Sequence, residues 1–387
     1  MPSTGSRNQV MILESFAENI LGRKPVSESL VIEVQLSERS YRIEIGSGNL
    51  SDAGKMLAGS GKCSHAVLIT DTNVEHPHAT QYGEYLAAAA PEIDVDLLVI
   101  DPGEASKSVE IADRLWQELL DLGADRDTVV VAVGGGVVGD LAGFVAATYA
   151  RGLSFFQVPT TVLAQVDSSV GGKVAINLPG AKNMVGAFWQ PLGVLIDTQV
   201  LSTLADREYR AGLAEVVKYG VILDADFFAY LEQHGEQLNQ RQPDVLRTVI
   251  ARCCQLKADV VQQDERETSG QRAVLNYGHT FGHALEAETG YGQLLHGEAV
   301  AIGMLCASRL AERLGRIPPE VTQRQFDLLQ GLGLPVEVPD VEIDGLMNAM
   351  RRDKKVSHGR LRFVLPTRLG HVELVGDVSE DEARAAW

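Results

Sequence analysis

Positive charge is scarce in this sequence: Lys and Arg number 34 against 52 Asp and Glu, a formal net charge of −18 at pH 7. A field of that sign repels phosphate polymers and anionic headgroups, which excludes nucleic acid and membrane surfaces as general partners. An anionic small-molecule substrate would need a local cluster of cations that overcomes the global field. Cysteine is scarce as well. The four present, Cys63, Cys253, Cys254 and Cys306, show no CxxC spacing, so a reducing cytoplasm without structural disulfides is expected. No uncharged apolar run reaches the roughly 18 residues a membrane span needs. Glu14 and Glu18 interrupt the apolar stretch near the N-terminus, so no signal peptide is expected either. Collagen period, low-complexity tracts and a disorder-type composition are all missing.

What is there is 387 residues of ordinary globular composition, enough for two to three domains at roughly 150 residues each. Residues 1–28 read as an extension. Over 30–45 the alternation Ile32, Val34, Leu36, then Tyr41, Ile43, Ile45 predicts a β-hairpin. Short apolar runs at 65–70, 95–100, 128–133 and 154–158, most of them separated by helix-like segments, predict βαβ units and a largely parallel sheet. After Asp197, amphipathic patterns over 204–231, 245–263, 279–289 and 298–314 predict helices, with one more short hairpin at 361–365 and 371–374. The expectation is an α/β protein: a Rossmann-like parallel-sheet domain at 29–198, a mainly α-helical domain at 199–387, and the active site in the cleft between them.

The run 128–133 enters Gly134-Gly135-Gly136-Val137-Val138-Gly139-Asp140. Glycines there permit a tight strand-to-helix turn whose backbone N–H groups can approach a pyrophosphate. The match departs from the dinucleotide fingerprint, because it is not on the first strand and Phe155-Phe156 stands where an acid would follow. Asp71 and Asn73, then Glu104 and Lys107, fall at other strand ends, where open α/β sheets hold nucleotide riboses. In Asn276-Tyr277-Gly278-His279-Thr280-Phe281-Gly282-His283, two histidines share one helix face at i, i+4. By spacing alone both are candidate metal ligands. His296 in Leu295-His296-Gly297-Glu298 and Glu215 in Gly212-Leu213-Ala214-Glu215 would complete a His/Glu set of catalytic-zinc type. Gly278, Gly282 and Gly297 would allow close approach around the imidazoles. The cations Lys173, Lys182, Lys218, Lys257, Arg272, Lys354 and Lys355 lie in otherwise small, apolar or acidic context. Converging beside a metal, they would suit a phosphate and a carboxylate.

Six stretches together resemble the dehydroquinate synthase family of sugar phosphate cyclases. They are Asp-Ser-Ser-Val-Gly-Gly-Lys at 167–173, Lys-Asn-Met-Val-Gly-Ala-Phe at 182–188, Gly-Leu-Ala-Glu-Val-Val-Lys-Tyr-Gly at 212–220, Leu-Asn-Tyr-Gly-His-Thr-Phe-Gly-His at 275–283, His-Gly-Glu-Ala-Val at 296–300 and Arg-Asp-Lys-Lys-Val at 352–356. The resemblance runs from about residue 30 to the C-terminus. It implies a homodimeric cytoplasmic enzyme that uses NAD and one divalent metal ion, zinc or cobalt, to convert 3-deoxy-D-arabino-heptulosonate 7-phosphate to 3-dehydroquinate and phosphate. On the same grounds Glu215, His279 and His296 would be the metal ligands. NAD would be held by Asp71, Asn73, Glu104, Lys107, Gly135, Gly136, Asp140, Thr160, Thr161, Thr203 and Leu204. Lys173, Lys218, Arg272, Asn276 and His283 would be catalytic, His283 acting on the substrate side despite its spacing. Asp167, Lys182, Asn183, Lys257, Lys354 or Lys355, and Arg151 from the partner subunit would bind substrate.

One extra residue lies between Lys257 and Arg272, which leaves open whether Glu265 or Glu267 is the aligned acid. Residues 1–28 fall outside the family core. Sibling cyclases making aminodehydroquinate, valiolone or deoxy-inosose share the metal and NAD sites and differ around the substrate. A metal- and NAD-dependent polyol dehydrogenase would share the architecture without needing so many cations. A non-catalytic binding protein would have no use for an intact Glu215, His279 and His296.

Overall fold

The computed structural model describes residues 29–36, 39–59, 63–290, 292–352 and 361–387. The N-terminal extension, Lys354 and Lys355 lie outside them. The described chain forms two units, and each is treated by itself. One runs up to Ala205 and takes in Cys253–Arg266; the other comprises Asp206–Arg252 and Glu267–Trp387.

The first unit is built on a seven-stranded sheet. Its strands are β1 (Leu30–Val34), β2 (Tyr41–Gly46), β3 (His65–Asp71), β4 (Asp94–Ile100), β5 (Thr128–Gly134), β6 (Ser154–Pro159) and β9 (Gly193–Asp197), in the order β1-β2-β9-β6-β5-β3-β4. Only the β1–β2 hairpin pairs antiparallel; every other pairing is parallel. Helices α1 (Ala53–Ala58), α2 (Thr80–Ala89), α3 (Val109–Asp121) and α4 (Gly136–Thr148) cover its faces. The reason is legible along β5, all seven residues of which are buried. Successive side chains point to opposite faces. Val130 and Ala132 therefore meet Leu115 and Leu119 of α3 and Leu141 of α4, while Val129 and Val131 meet Leu57, Tyr82 and Leu86 from α1 and α2. A strand buried on both sides reads as a continuous apolar run.

Lys173–Leu178 (β7) and Ala181–Phe188 (β8), not expected from the sequence, form a separate antiparallel hairpin. Val174, Ile176 and Leu178 alternate on β7, but only the first two are buried, and β8, half-exposed to exposed, carries no matching alternation.

The second unit holds α5 (Asp206–Leu223), α6 (Ala225–Asn239), α8 (His279–Glu288), α9 (His296–Arg313), α10 (Pro319–Gly331), α11 (Ile343–Arg352), the hairpin β10–β11 (Phe363–Arg368, His371–Val375) and α12 (Glu380–Arg384). α7 (Pro243–Gln263) begins in this unit and ends in the other. The single helix expected over 204–231 is two. Asp224 stops it: its carboxylate accepts from the N–H groups of Asp226 and Phe227, both at 3.0 Å, which caps α6, and Arg252 Nε holds that carboxylate at 2.7 Å. None of the four cysteines is in a disulfide. Among the described residues, no helix is long and apolar enough to cross a membrane.

Candidate active site

In the second unit α5 is buried along most of its length and carries Glu215 and Lys218, i and i+3 on one face, with 0% and 1% of their surfaces exposed. A buried charge is tolerated only with partners. The Lys218 ammonium pairs with Glu215 Oε2, while Glu215 Oε1 accepts no hydrogen bond. Two glycines bring imidazoles to that carboxylate. A Cβ on Gly297 would sit 1.8 Å from the carbonyl oxygen of Ala211, so only glycine lets α9 begin hard against α5 and deliver His296 beside Glu215. Gly278, at φ +77°, caps α8 in the left-handed region, and a Cβ there would meet Met304 of α9 at 2.6 Å.

The resulting geometry suits a cation. His279 Nε2 and His296 Nε2 stand 3.6 and 3.9 Å from Glu215 Oε1. Donors bound tetrahedrally at about 2.0–2.2 Å lie about 3.3–3.6 Å from one another. His279 Nδ1 lies 3.0 Å from the Tyr277 carbonyl; donating its proton there fixes the tautomer that leaves Nε2 free as a ligand. The fit of Glu215, His279 and His296 to a divalent ion therefore rests on spacing, donor type and a buried carboxylate oxygen, Oε1, that accepts no hydrogen bond. His283, equivalent to His279 by spacing alone, groups instead with Glu286 and His296, their ligating atoms within 4.8 Å of one another. Burial by itself would lower the His296 imidazole; the Glu286 carboxylate, aided by Glu215, outweighs it and raises the group above the ordinary histidine range. Arg272, buried, and Asn276, half-buried, lie on the 3-10 helix Gln271–Asn276 that leads into α8.

In the first unit, parallel strands place their C-terminal ends along one edge, the usual location of ligands in such sheets. Asp71 ends β3 and Asn73 follows it, Glu104 and Lys107 follow β4, Gly135, Gly136 and Asp140 follow β5, Thr160 and Thr161 follow β6, and Thr203 and Leu204 follow β9. α4 starts at Gly136 with no side chain capping its first turn, which leaves N–H groups for an anion. Asn73 N–H closes a turn on Asp71 Oδ1 at 2.9 Å; burial still raises the Asp71 carboxyl, against that hydrogen bond and the one from Val74. Buried Lys107 is the hub. It donates to Asp140 Oδ2 at 2.7 Å and to Asn183 Oδ1, and lies 3.4 Å from Glu104 Oε1. Burial raises the Asp140 carboxyl, and Lys107 opposes the rise. Thr203 is already engaged: His78 Nε2 lies 2.6 Å from its hydroxyl.

The expected substrate residues of this unit are distributed. Lys257 donates to the Asp167 carbonyl at 2.6 Å and pairs with Oδ1 at 2.8 Å. Asn183 sits on β8 at φ +54°, its N–H held by Asn177 Oδ1 at 2.8 Å, while Asn177 Nδ2 donates to Glu104 Oε1 at 2.8 Å. Lys173 is exposed, Lys182 half-exposed, and Arg151 exposed at φ +68°. Glu265, one of the two open acids, accepts from Arg39 Nη2 at 2.8 Å and Gln190 Nε2 at 3.1 Å. Glu267 takes φ +58°. Sequence reasoning passed over Asn177, Tyr277 and Glu286. For Glu286 a signal existed, since positions 279, 283 and 286 share one helix face at i, i+4 and i+7.

A family model described as 3-dehydroquinate synthase N-terminal matches residues 97–211, and one described as 3-dehydroquinate synthase C-terminal matches residues 212–356. The chain is 51% identical to the 3-dehydroquinate synthase of Rhodopirellula baltica, over 92% of this chain and 96% of that protein. Among solved structures it is similar to 2-deoxy-scyllo-inosose synthase complexed with carbaglucose-6-phosphate, NAD+ and Co2+, at 29% identity and a TM-score of 0.84, covering 92% of this chain and 98% of that one. It is also similar to 2-epi-5-epi-valiolone synthase from Streptomyces hygroscopicus subsp. jinggangensis with NAD+ and Zn2+ bound, at 31% identity and a TM-score of 0.81, covering 91% and 97%.

Proposed function

The chain belongs to the 3-dehydroquinate synthase family, and we propose that it converts 3-deoxy-D-arabino-heptulosonate 7-phosphate to 3-dehydroquinate and phosphate with the residues described above. It is a carbon–oxygen lyase. When bound, NAD supplies a hydride acceptor that is regenerated within each turnover, and the divalent ion supplies a Lewis acid. Glu215, His279 and His296 would hold the ion, and the strand-end residues around Asp71, Gly135 and Asp140 the nucleotide.

The remaining work is done by charge and position. The substrate carries a carboxylate and a phosphate, and the protein offers Lys173, Lys218, Lys257 and Arg272 in a chain that is otherwise acidic. Cations of this kind stabilise negative charge as phosphate departs, and the buried ones, Lys218, Lys257 and Arg272, cost little reorganisation because packing already holds them. His283 is assigned the proton transfers that accompany elimination, ring opening and aldol closure. Arg272 and Asn276 are assigned the anionic ends of the substrate, and Lys182, Asp167, Asn183 and Lys354 or Lys355 further substrate contacts. The observation that carries this reading is the Glu215–His279–His296 donor set, in which the buried Glu215 Oε1 faces both imidazoles and accepts no hydrogen bond.

Sibling cyclases fit less well, since the two above stand at 29–31% identity against 51% for a 3-dehydroquinate synthase. We further assign a cytoplasmic homodimer in which Arg151 serves the partner's site. Cysteines outside any disulfide and the exposed, left-handed turn carrying Arg151 support that reading. The test is phosphate release from the heptulosonate phosphate with catalytic NAD and zinc or cobalt, with NADH absorbance followed in parallel. Many phosphates per NAD without net NADH is expected. No phosphate would overturn the substrate assignment in favour of a sibling cyclase, and net NADH from a polyol would make the protein a dehydrogenase.

A further inference from the structure

We propose that Glu286 is a positioning residue of the metal site: it holds the ligand His296 by its Nδ1 side. The inference rests on the assignment of Glu215, His279 and His296 as the donor set. An imidazole that offers Nε2 to a cation must carry its remaining proton on Nδ1, and the acceptor it finds there fixes its tautomer and ring plane. The two histidine ligands meet different acceptors. His279 has the Tyr277 carbonyl at 3.0 Å from Nδ1, whereas Glu286 Oε2 lies 3.5 Å from His296 Nδ1.

Three observations give Glu286 this role. It is 6% exposed, and burying a carboxylate costs free energy that a bland packing residue would avoid. It stands on the face of α8 that also bears His279 and His283, so one helix delivers a ligand, the proposed proton carrier and the group that orients the ligand from α9. Its carboxylate, the His283 ring and the His296 ring have their donor atoms within 4.8 Å of one another. The carboxylate thus lies where it orients His296.

The test uses the full-length protein, stripped of metal and titrated with Co2+ at one fixed pH, with visible absorption and chelator competition as readouts. Metal-free melting temperature is recorded alongside. Glu286→Gln keeps an acceptor of similar shape and loses the charge; Glu286→Ala loses both. Loss of a group behind a metal-binding histidine costs about 10–100-fold in affinity. We expect the lower end of that range for Glu286→Gln, and the upper end with an altered absorption spectrum for Glu286→Ala. Wild-type affinity and spectrum in both variants would overturn the proposal. So would a Glu286→Gln loss of affinity that only tracks a fall in metal-free melting temperature under an unaltered spectrum, because the role would then be structural. His279→Ala is the control. If it too binds Co2+ like the wild type, the donor-set assignment fails and this inference with it.

Discussion

In the helical unit the carboxylate of Glu215 is fully buried and its neighbours are fixed by helix crossings that tolerate no Cβ at Gly297. In the sheet unit Asp71 and Asp140 are half-buried and Glu104 and Asn183 exposed, spread over the end of β3, the first turns of α4, the segment after β4 and the β8 strand. Buried Lys107 is the exception there, and it ties Asp140, Asn183 and Glu104 together. The contrast follows from what each place must do. A cation site needs a few donors at fixed separations, which backbone packing supplies. A nucleotide is long and makes many modest contacts, which loops on a rigid sheet edge supply.

If the helical half is as rigid as its packing implies, small changes there should be decisive. His279→Ala should abolish metal binding and turnover with the circular dichroism spectrum unchanged; full activity of the metal-depleted variant would remove His279 from the site. Gly297→Ala is next. The added methyl must displace α9 from the Ala211 carbonyl, and overpacking of this kind costs about 1–3 kcal/mol. Both the melting temperature and Co2+ affinity should fall, and an unchanged affinity would show that His296 is placed by something other than this crossing. Arg272→Ala should lower kcat/KM by the charge-assisted contacts it loses, about 1.5–3 kcal/mol, without weakening Co2+ binding. An unchanged kcat/KM would take Arg272 out of the pocket.

The same contrast decided what could be read from sequence. The strands at 65–70 and 128–133 were legible because burial on both faces writes a continuous apolar run. The β7–β8 hairpin was not, since Lys173, Asn177, Lys182 and Asn183 interrupt strands of which little is buried. At the metal site, residue type and helical spacing bring out His279, His283, His296 and Glu215 as candidates. Spacing could not separate His279 from His283, because which of them faces Glu215 depends on how α8, α9 and α5 pack, contacts between segments distant in sequence and set in part by the missing side chain of Gly297. Asp224 could have warned that the apolar pattern over 204–231 was two helices, as an Asp followed by an apolar stretch is an N-cap signal.

The sheet half should answer most visibly to pH. Burial pushes the Asp140 carboxyl above its ordinary range, and Lys107 is the first of the groups that pull it back. With the folded value above the unfolded one, the ionised carboxylate costs folding stability, and the cost grows as pH rises from the ordinary carboxylate range through the folded value. Lys107→Met removes the opposing cation and should raise Asp140 further. Protonation would then set in at higher pH, so the acid-side loss of NAD affinity, followed by isothermal titration, should move upward in the variant while Co2+ affinity at neutral pH stays put. The shift should be modest beside the losses expected in the helical half, because Lys107 also braces Asn183 and Glu104, which can partly re-pair with solvent. An acid limb that does not move would separate Asp140 from nucleotide binding. A parallel fall in Co2+ affinity would show instead that the two halves are energetically coupled.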